Sequence, residues 1–183
     1  TYASPKSFNN HFGVPISLSN LNLNHQYGVF EIGMSKKGEI NCLSKMIKPD
    51  IGIITNIGEA HLENFKNIQG IAKAKSEIIN NITKNGTIIL NYDDKFFNFL
   101  NKKAKSKNIK VVTFGLTKKA KIHPVKIKKY GEKTQITIKI IDDIIKLKIK
   151  NINIYNVLSS LAVLNELGLN LDKTVKLYKN FEP

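Results

Sequence analysis

The chain has 183 residues, is 42% hydrophobic and 23% charged, and carries a formal net charge of +15. That is enough for one domain with a full core; no apolar run approaches the roughly 20 residues of a membrane span, and a single cysteine excludes an intrachain disulfide framework. All 29 basic residues are lysine, and without arginine forks or stacked aromatics the charge reads as solvated lysines on outer faces, not as a nucleic-acid site.

Thr1-Tyr2-Ala3-Ser4-Pro5 lacks the charged and apolar regions of a signal peptide, so a reducing cytoplasm is the expected location. The first half alternates helix and strand signals. Helices are expected over Gly13 to Leu21, Gly38 to Lys48, Ile68 to Ile82 and Lys95 to Ser106. Strands are expected over Tyr27 to Gly33, Asp50 to Asn56, Thr87 to Asn91 and Lys110 to Gly115. Short continuous apolar strands separated by helices predict an α/β fold with a doubly wound, mainly parallel sheet. From Lys121 the pattern becomes apolar-polar alternation over Lys121 to Lys129, Thr134 to Ile140 and Ile144 to Ile149. Turns at Tyr130-Gly131-Glu132 and Asp142-Asp143 make this a small antiparallel β-meander with one wet face. A last helix is expected from Asn153 to Leu167, stopping at Gly168. The segments interleave without an internal boundary, so residues 1–183 read as one domain. Both ends are expected to be truncated: Phe181-Glu182-Pro183 closes no element, and no glycine-rich phosphate loop of the G-x-x-x-x-G-K-S/T type occurs.

Ligands of open α/β sheets gather at the carboxyl ends of strands. Glu31 stands near the end of the first expected strand, His61 in the loop after the second, and Lys75 on the helix that this loop feeds. At 100° per residue, Ile68, Ile71, Ile78, Ile79 and Ile82 share one helix face with Lys75 near its centre, while Lys73, Glu77 and Asn80 take the wet side. Two readings of Lys75 stand. It snorkels to the edge of the face, or it is a desolvated amine able to take up carbon dioxide as a carbamate, an anionic oxygen ligand for a hard metal. Glu31 is either an edge residue facing water or a carboxylate ligand for magnesium. His61 alone is no more than a loop histidine. Asn9-Asn10 before Gly13-Val14-Pro15 form a turn and helix entry, or present amides to a phosphate. Asn153 and Asn156 flank the start of the last helix, where capping explains one of them and nucleotide contact is the alternative.

Taken together these segments resemble the central domain of the Mur ligases, in the branch that adds D-alanyl-D-alanine. The resemblance spans essentially the whole chain. Ser7-Phe8-Asn9-Asn10 with Gly13-Val14-Pro15 is similar to that family's N-N-x-x-G-V-P. Phe30-Glu31-Ile32-Gly33-Met34 with Gly38-Glu39-Ile40 is similar to its E-I/L/M-G-M and G-E-I segments. Thr55-Asn56-Ile57-Gly58-Glu59-Ala60-His61-Leu62-Glu63 resembles its T-N-I-x-x-A-H-L-E, and Ala72-Lys73-Ala74-Lys75-Ser76-Glu77-Ile78 its A-K-A-K-x-E-I. Leu90-Asn91-Tyr92-Asp93-Asp94 and Val112-Thr113-Phe114-Gly115 also fit.

The resemblance implies ATP-driven amide bond formation, with ATP and magnesium (Mg2+) as cofactors. The substrates it implies are UDP-N-acetylmuramoyl-tripeptide and D-Ala-D-Ala, and the full-length enzyme is expected to be a monomer with no nucleic-acid partner and no membrane span. Carried over by motif, Glu31 and His61 would ligate magnesium and Lys75 would be the carbamoylated lysine of a second magnesium. Asn9 and Asn10 would lie near phosphates or the UDP-sugar, and Asn153 and Asn156 on the nucleotide side, Asn156 approaching the adenine. One stretch departs from the family's G-x-H-N-x-x-N: here Lys150-Asn151-Ile152-Asn153-Ile154-Tyr155-Asn156 replaces both Gly and His, which puts the adenine contacts in doubt. The P-loop, the UDP-binding N-terminal domain and the C-terminal domain are not in the sequence, so this chain by itself is expected not to turn over ATP. Two other readings remain: a ligase of the same superfamily adding a different amino acid, and, from another class, a non-catalytic basic nucleic-acid-binding domain.

Overall fold

A computed structural model describes residues 1–59, 64–176 and 178. The chain divides into two compact units, one of Thr1–Gly52 with Ile57–Gly86, the other of Ile53–Asn56 with Thr87–Pro183.

In the first unit β1 (Tyr2–Ala3) pairs in parallel with β2 (Gly28–Val29). Helix α1 (Gly13–Ser19) packs on α2 (Glu39–Ile47), and α2 packs on α3 (Ile68–Lys75) and on the 3-10 turn Ser76–Asn81 that continues it. Val14, Ile40, Leu43, Ile71, Ala74 and Ile79 form the core between these helices. Full burial of each Ile or Leu contributes about 1.5–3 kcal/mol. Asn67 caps α3, its side chain accepting from Gly70 N. Gly38, at φ +93°, starts α2 from a backbone conformation that a Cβ disfavours.

The second unit is built on a six-stranded sheet of order β3-β4-β5-β6-β7-β8. Its strands are β3 (Ile51–Ile54), β4 (Thr87–Asn91), β5 (Lys110–Phe114), β6 (Ile122–Tyr130), β7 (Lys133–Ile140) and β8 (Asp143–Lys150). Strands β4, β5 and β6 run parallel, with Thr87 opposite Lys110 and Phe114 opposite Ile122, and β6, β7 and β8 are antiparallel. Helix α4 (Phe97–Ser106) packs on β4 and β5, α5 (Ile154–Glu166) on β4 to β7, and α6 (Leu171–Val175) on β8. Phe114, Ile122, Ile136, Ile138 and Ile140 meet Leu158 and Leu161 in the core. The mixed α/β fold expected from the strand-helix alternation is thus present, and the meander continues the same sheet.

Three local expectations change. The strand expected over Tyr27 to Gly33 pairs only at Gly28–Val29. A ladder extends no further than its neighbour, and β1 supplies two residues; Gly33 N bonds Asn9 O instead. The helix expected over Ile68 to Ile82 tightens at Ser76 into a 3-10 turn, which advances three residues per turn instead of 3.6. That rotation takes Glu77 off the solvent side: it is buried.

Candidate functional site

In the first unit the segment after β2 and the entry to α1 meet through two hydrogen bonds. Glu31, two residues past β2, is exposed, and its Oε1 accepts from Asn9 Nδ2 at 2.6 Å. The backbone fixes this pair, because Gly33 N donates to Asn9 O at 2.7 Å. A Cβ on Gly33 would lie 3.0–3.1 Å from the atoms of the Asn9 amide, so any other residue there would push that side chain by a few tenths of an ångström. In a chain with 29 lysines, Glu31 pairs with no cation among the described residues. Its partner is a neutral amide, which orients a carboxylate without cancelling its charge. Asn10 takes the other role open to the asparagine pair: its Oδ1 accepts from Phe12 N and Gly13 N at 3.0 and 2.9 Å, closing the entry to α1.

Lys75 sits half-buried in the last turn of α3, with Ile71, Ala72 and Ala74 buried and Lys73 exposed. It therefore lies at the rim of the apolar face, not at its centre, because the tightening at Ser76 rotates Ile79 and Ile82 away from their expected positions on the wheel. Two residues on, the Glu77 carboxylate accepts from Gly38 N at 2.9 and 3.0 Å and from Asn41 N at 3.1 Å. It caps α2 from a distant part of the chain, where unsatisfied amides and the positive end of the helix dipole favour an anion. Asn81 Nδ2 adds bonds to Asn41 O, Asn41 Oδ1 and Ser44 Oγ. The segment bearing Lys75 is thereby fastened to the start of α2, which directly follows the loop leaving Glu31. From the first position of α2, Glu39 Oε2 accepts from the loop's Ser35 N at 2.6 Å and Lys36 N at 3.0 Å, and these two bonds hold its carboxyl below the usual 4.5.

In the second unit the carboxyl ends of β4 and β5 meet the start of α5. Buried Asn91 donates from Nδ2 to Thr55 O at 3.1 Å, anchoring the residues that leave β3. Asp93 Oδ2 accepts from Leu116 N at 2.5 Å and from the Tyr155 hydroxyl at 3.2 Å. A Cβ on Gly115 would stand 2.8 Å from that same oxygen. Burial pushes the Tyr155 hydroxyl pKa up, and the neighbouring Asp93 charge and hydrogen bond push it further. Asn153 caps α5, accepting from Tyr155 N at 2.8 Å, while Asn156 is exposed in the first turn. Of the two asparagines, capping accounts for Asn153 and leaves Asn156 facing solvent.

Asn9 and Glu31 are thus brought together. Asn10 and Asn153 serve helix starts, and His61 lies outside the described residues. Among the described residues no three His, Cys, Asp or Glu side chains cluster to hold a metal. The expected ligand set contains only one described residue of those types, Glu31, so magnesium fits through the chemistry of that carboxylate: a hard, exposed oxygen donor whose only bond among the described residues is to an amide. Helical periodicity places Glu77 on the wet side, although the A-K-A-K-x-E-I motif carries it, and Asp93 and Tyr155 break no hydrophobic pattern that would single them out.

The Mur ligase middle domain family matches residues 1–164. The UDP-N-acetylmuramoyl-tripeptide–D-alanyl-D-alanine ligase of Buchnera aphidicola is 43% identical over 119 residues, which are 65% of this chain and 26% of that protein. The ligase of the same name from Rickettsia prowazekii is 37% identical over 136 residues, 74% of this chain and 30% of that protein. A crystal structure of MurF from Acinetobacter baumannii superposes with a TM-score of 0.91 at 28% identity, covering 99% of this chain and 40% of the other. The chain therefore spans between a quarter and two-fifths of the length of these relatives.

Proposed function

The chain belongs to the Mur ligase family, through its middle domain, and on that premise we propose that it is the ATP-handling part of a ligase adding D-Ala-D-Ala to UDP-N-acetylmuramoyl-tripeptide. The relatives of that name support this substrate pair. In the proposed reaction the terminal carboxylate of the tripeptide is activated as an acyl phosphate by ATP. The dipeptide amine then displaces phosphate to form the amide. The whole reaction belongs to the complete enzyme, acting in the cytoplasm, with this chain supplying one wall of its active site.

One observation carries the reading: Glu31 is an exposed carboxylate that, among the described residues, is held by a neutral amide and neutralised by no lysine. Glu31, His61 and Lys75 as its carbamate would hold magnesium, which when bound screens and orients the phosphate and carboxylate oxygens that must meet. Asn9 aims the Glu31 carboxylate. Glu77 holds the segment of Lys75 against the start of α2. Asn156, exposed beside the capped start of α5, is the residue we place on the adenine side.

Two measurements on the complete enzyme test this. ADP release with UDP-N-acetylmuramoyl-tripeptide should require D-Ala-D-Ala and be absent with single amino acids; turnover with a single amino acid instead would move the protein to another branch of the family. Lys75→Ala should abolish turnover and regain part of it with added short carboxylates. Full activity in Lys75→Ala would end the carbamate reading while leaving the ligase assignment intact.

A further inference from the structure

The antiparallel half of the second unit carries a feature that the ligase reading does not use. One side of β6–β8 packs on α5 and α6. On that side lie Ile136, Ile138, Ile145, Leu147 and Ile149. The other side is a lattice of lysines. Cross-strand pairing sets Lys126, Thr137 and Lys146 in one row, Lys128, Gln135 and Lys148 in the next, and Tyr130, Lys133 and Lys150 in the third. His123, which is buried, Lys139 and Ile144 form a further row at the opposite end. The lysines of the outer strands are exposed and flank a neutral middle formed by Gln135 and Thr137.

The acids are segregated from this face. Of the three in residues 121–150, Glu132 and Asp142 occupy the turns, and Asp143 starts β8 opposite buried Ile140. Only Glu132 reaches a face lysine, pairing with Lys150 at 3.1 Å. A solvated sheet face ordinarily mixes both signs. A lysine-rich composition explains lysine in place of arginine, but not rows without a single acid. Strand geometry spreads these charges about 7 Å apart along each strand and about 10 Å apart between the outer two. At physiological salt the Debye length is about 8 Å, so fields add along each strand and more weakly between the outer two.

We propose that this face of β6–β8 docks on an anionic lipid bilayer. The charge is broad, flat and carried by flexible lysines, which suits a fluid array of headgroups that needs no fixed phosphate pocket. Apolar side chains stand at both ends of the lattice, with Tyr130 56% and Ile144 62% exposed. Flanking a cationic middle, such residues enter the interfacial layer while lysine stems snorkel to the phosphates. A nucleic-acid strand fits less well, because Tyr130 is the face's only exposed aromatic ring, His123 being buried, and no other row offers one for stacking.

The test is sedimentation of the complete enzyme with vesicles of phosphatidylglycerol and phosphatidylcholine, against pure phosphatidylcholine, over a salt series. Binding is expected to the anionic vesicles only, weakening as salt rises. Each lysine near an anionic leaflet strengthens attachment about fivefold, so losing three should weaken it roughly a hundredfold, and the reversals Lys126→Glu, Lys128→Glu and Lys146→Glu together by at least that. A control with the same change in net charge, Lys102→Glu, Lys105→Glu and Lys107→Glu on and just after α4, should stay within about threefold of the parent. Thermal melting of both triple variants shows that each is folded, and Lys→Gln versions of the same positions replace any that is not. No binding to anionic vesicles, equal losses in the two triple variants, or tighter binding to a single-stranded oligonucleotide than to vesicles at the same salt would each overturn the proposal.

Discussion

The side-chain amide of Asn9 donates to the carboxylate of Glu31 at 2.6 Å, across 22 residues of sequence. The two are kept in register by the backbone bond from Gly33 N to Asn9 O. An amide in this position fixes the carboxylate's orientation and leaves its negative charge available to a cation.

Losing that bond should loosen the carboxylate without unfolding the protein. Outer-shell partners of metal ligands typically change affinity 10–100-fold, so Asn9→Leu should raise the magnesium concentration needed for half-maximal turnover by about that factor. Manganese binding followed by electron paramagnetic resonance should weaken in parallel. Gly33→Ala should act in the same direction and less strongly, since its Cβ would press on the Asn9 amide at 3.0–3.1 Å. An unchanged metal requirement in both variants would sever Asn9 from the site.

Glu77 should matter for stability first. Its carboxylate satisfies Gly38 N and Asn41 N from a buried position. Glu77→Ala strands those donors and should lower unfolding free energy by about 2–3 kcal/mol, with Glu77→Gln losing less because its amide keeps one acceptor. Urea denaturation measures both, and a loss under about 0.5 kcal/mol would mean that water replaces the carboxylate.

The Glu39 carboxyl gives a pH dependence of known sign. Its backbone bonds to Ser35 and Lys36 depress the folded value below 4.5. The contribution to stability is therefore fully present above pH 4.5 and disappears as pH falls through the depressed value. Glu39→Gln should be less stable than the parent above 4.5 and converge with it in stronger acid. Parallel curves across that window would contradict the assignment.

Asn153 and Asn156 should separate cleanly. Asn153→Ala removes the cap of α5 and should lower stability by about 1 kcal/mol. Asn156→Ala, at an exposed position, should leave stability unchanged and raise the KM for ATP. A KM effect confined to Asn153→Ala would reverse the two roles.

Much of the fold was legible because its signals are local. Thr87–Asn91 is a strand at its expected bounds, since five consecutive buried residues leave no helical alternative of that length. The meander follows from strict alternation, and the start of α5 from a capping asparagine. What the sequence could not reveal depends on partners. Tyr27 to Gly33 has the composition of a strand but finds only two residues to pair with. Helical periodicity assumes one rotation per residue, so the change of pitch at Ser76 moved Lys75 to the rim of its face and turned Glu77 inward. Both candidate carboxylate roles, Glu31 facing out and Glu77 facing in, are decided by backbone amides and side chains more than 20 residues away. The strand pattern singles out Glu31, whereas Glu77 stands in the A-K-A-K-x-E-I motif without a role.

From β4 to β8 the order of strands in the sheet is their order in the chain. Each strand therefore needs to find only the one before it, and β6, β7 and β8 are joined by two-residue connections. Closing short loops in succession demands little chain entropy at any single step, which favours rapid formation of this part of the sheet. A chain leaving the ribosome can lay down these strands one after another, with α5 arriving last to cover their apolar side.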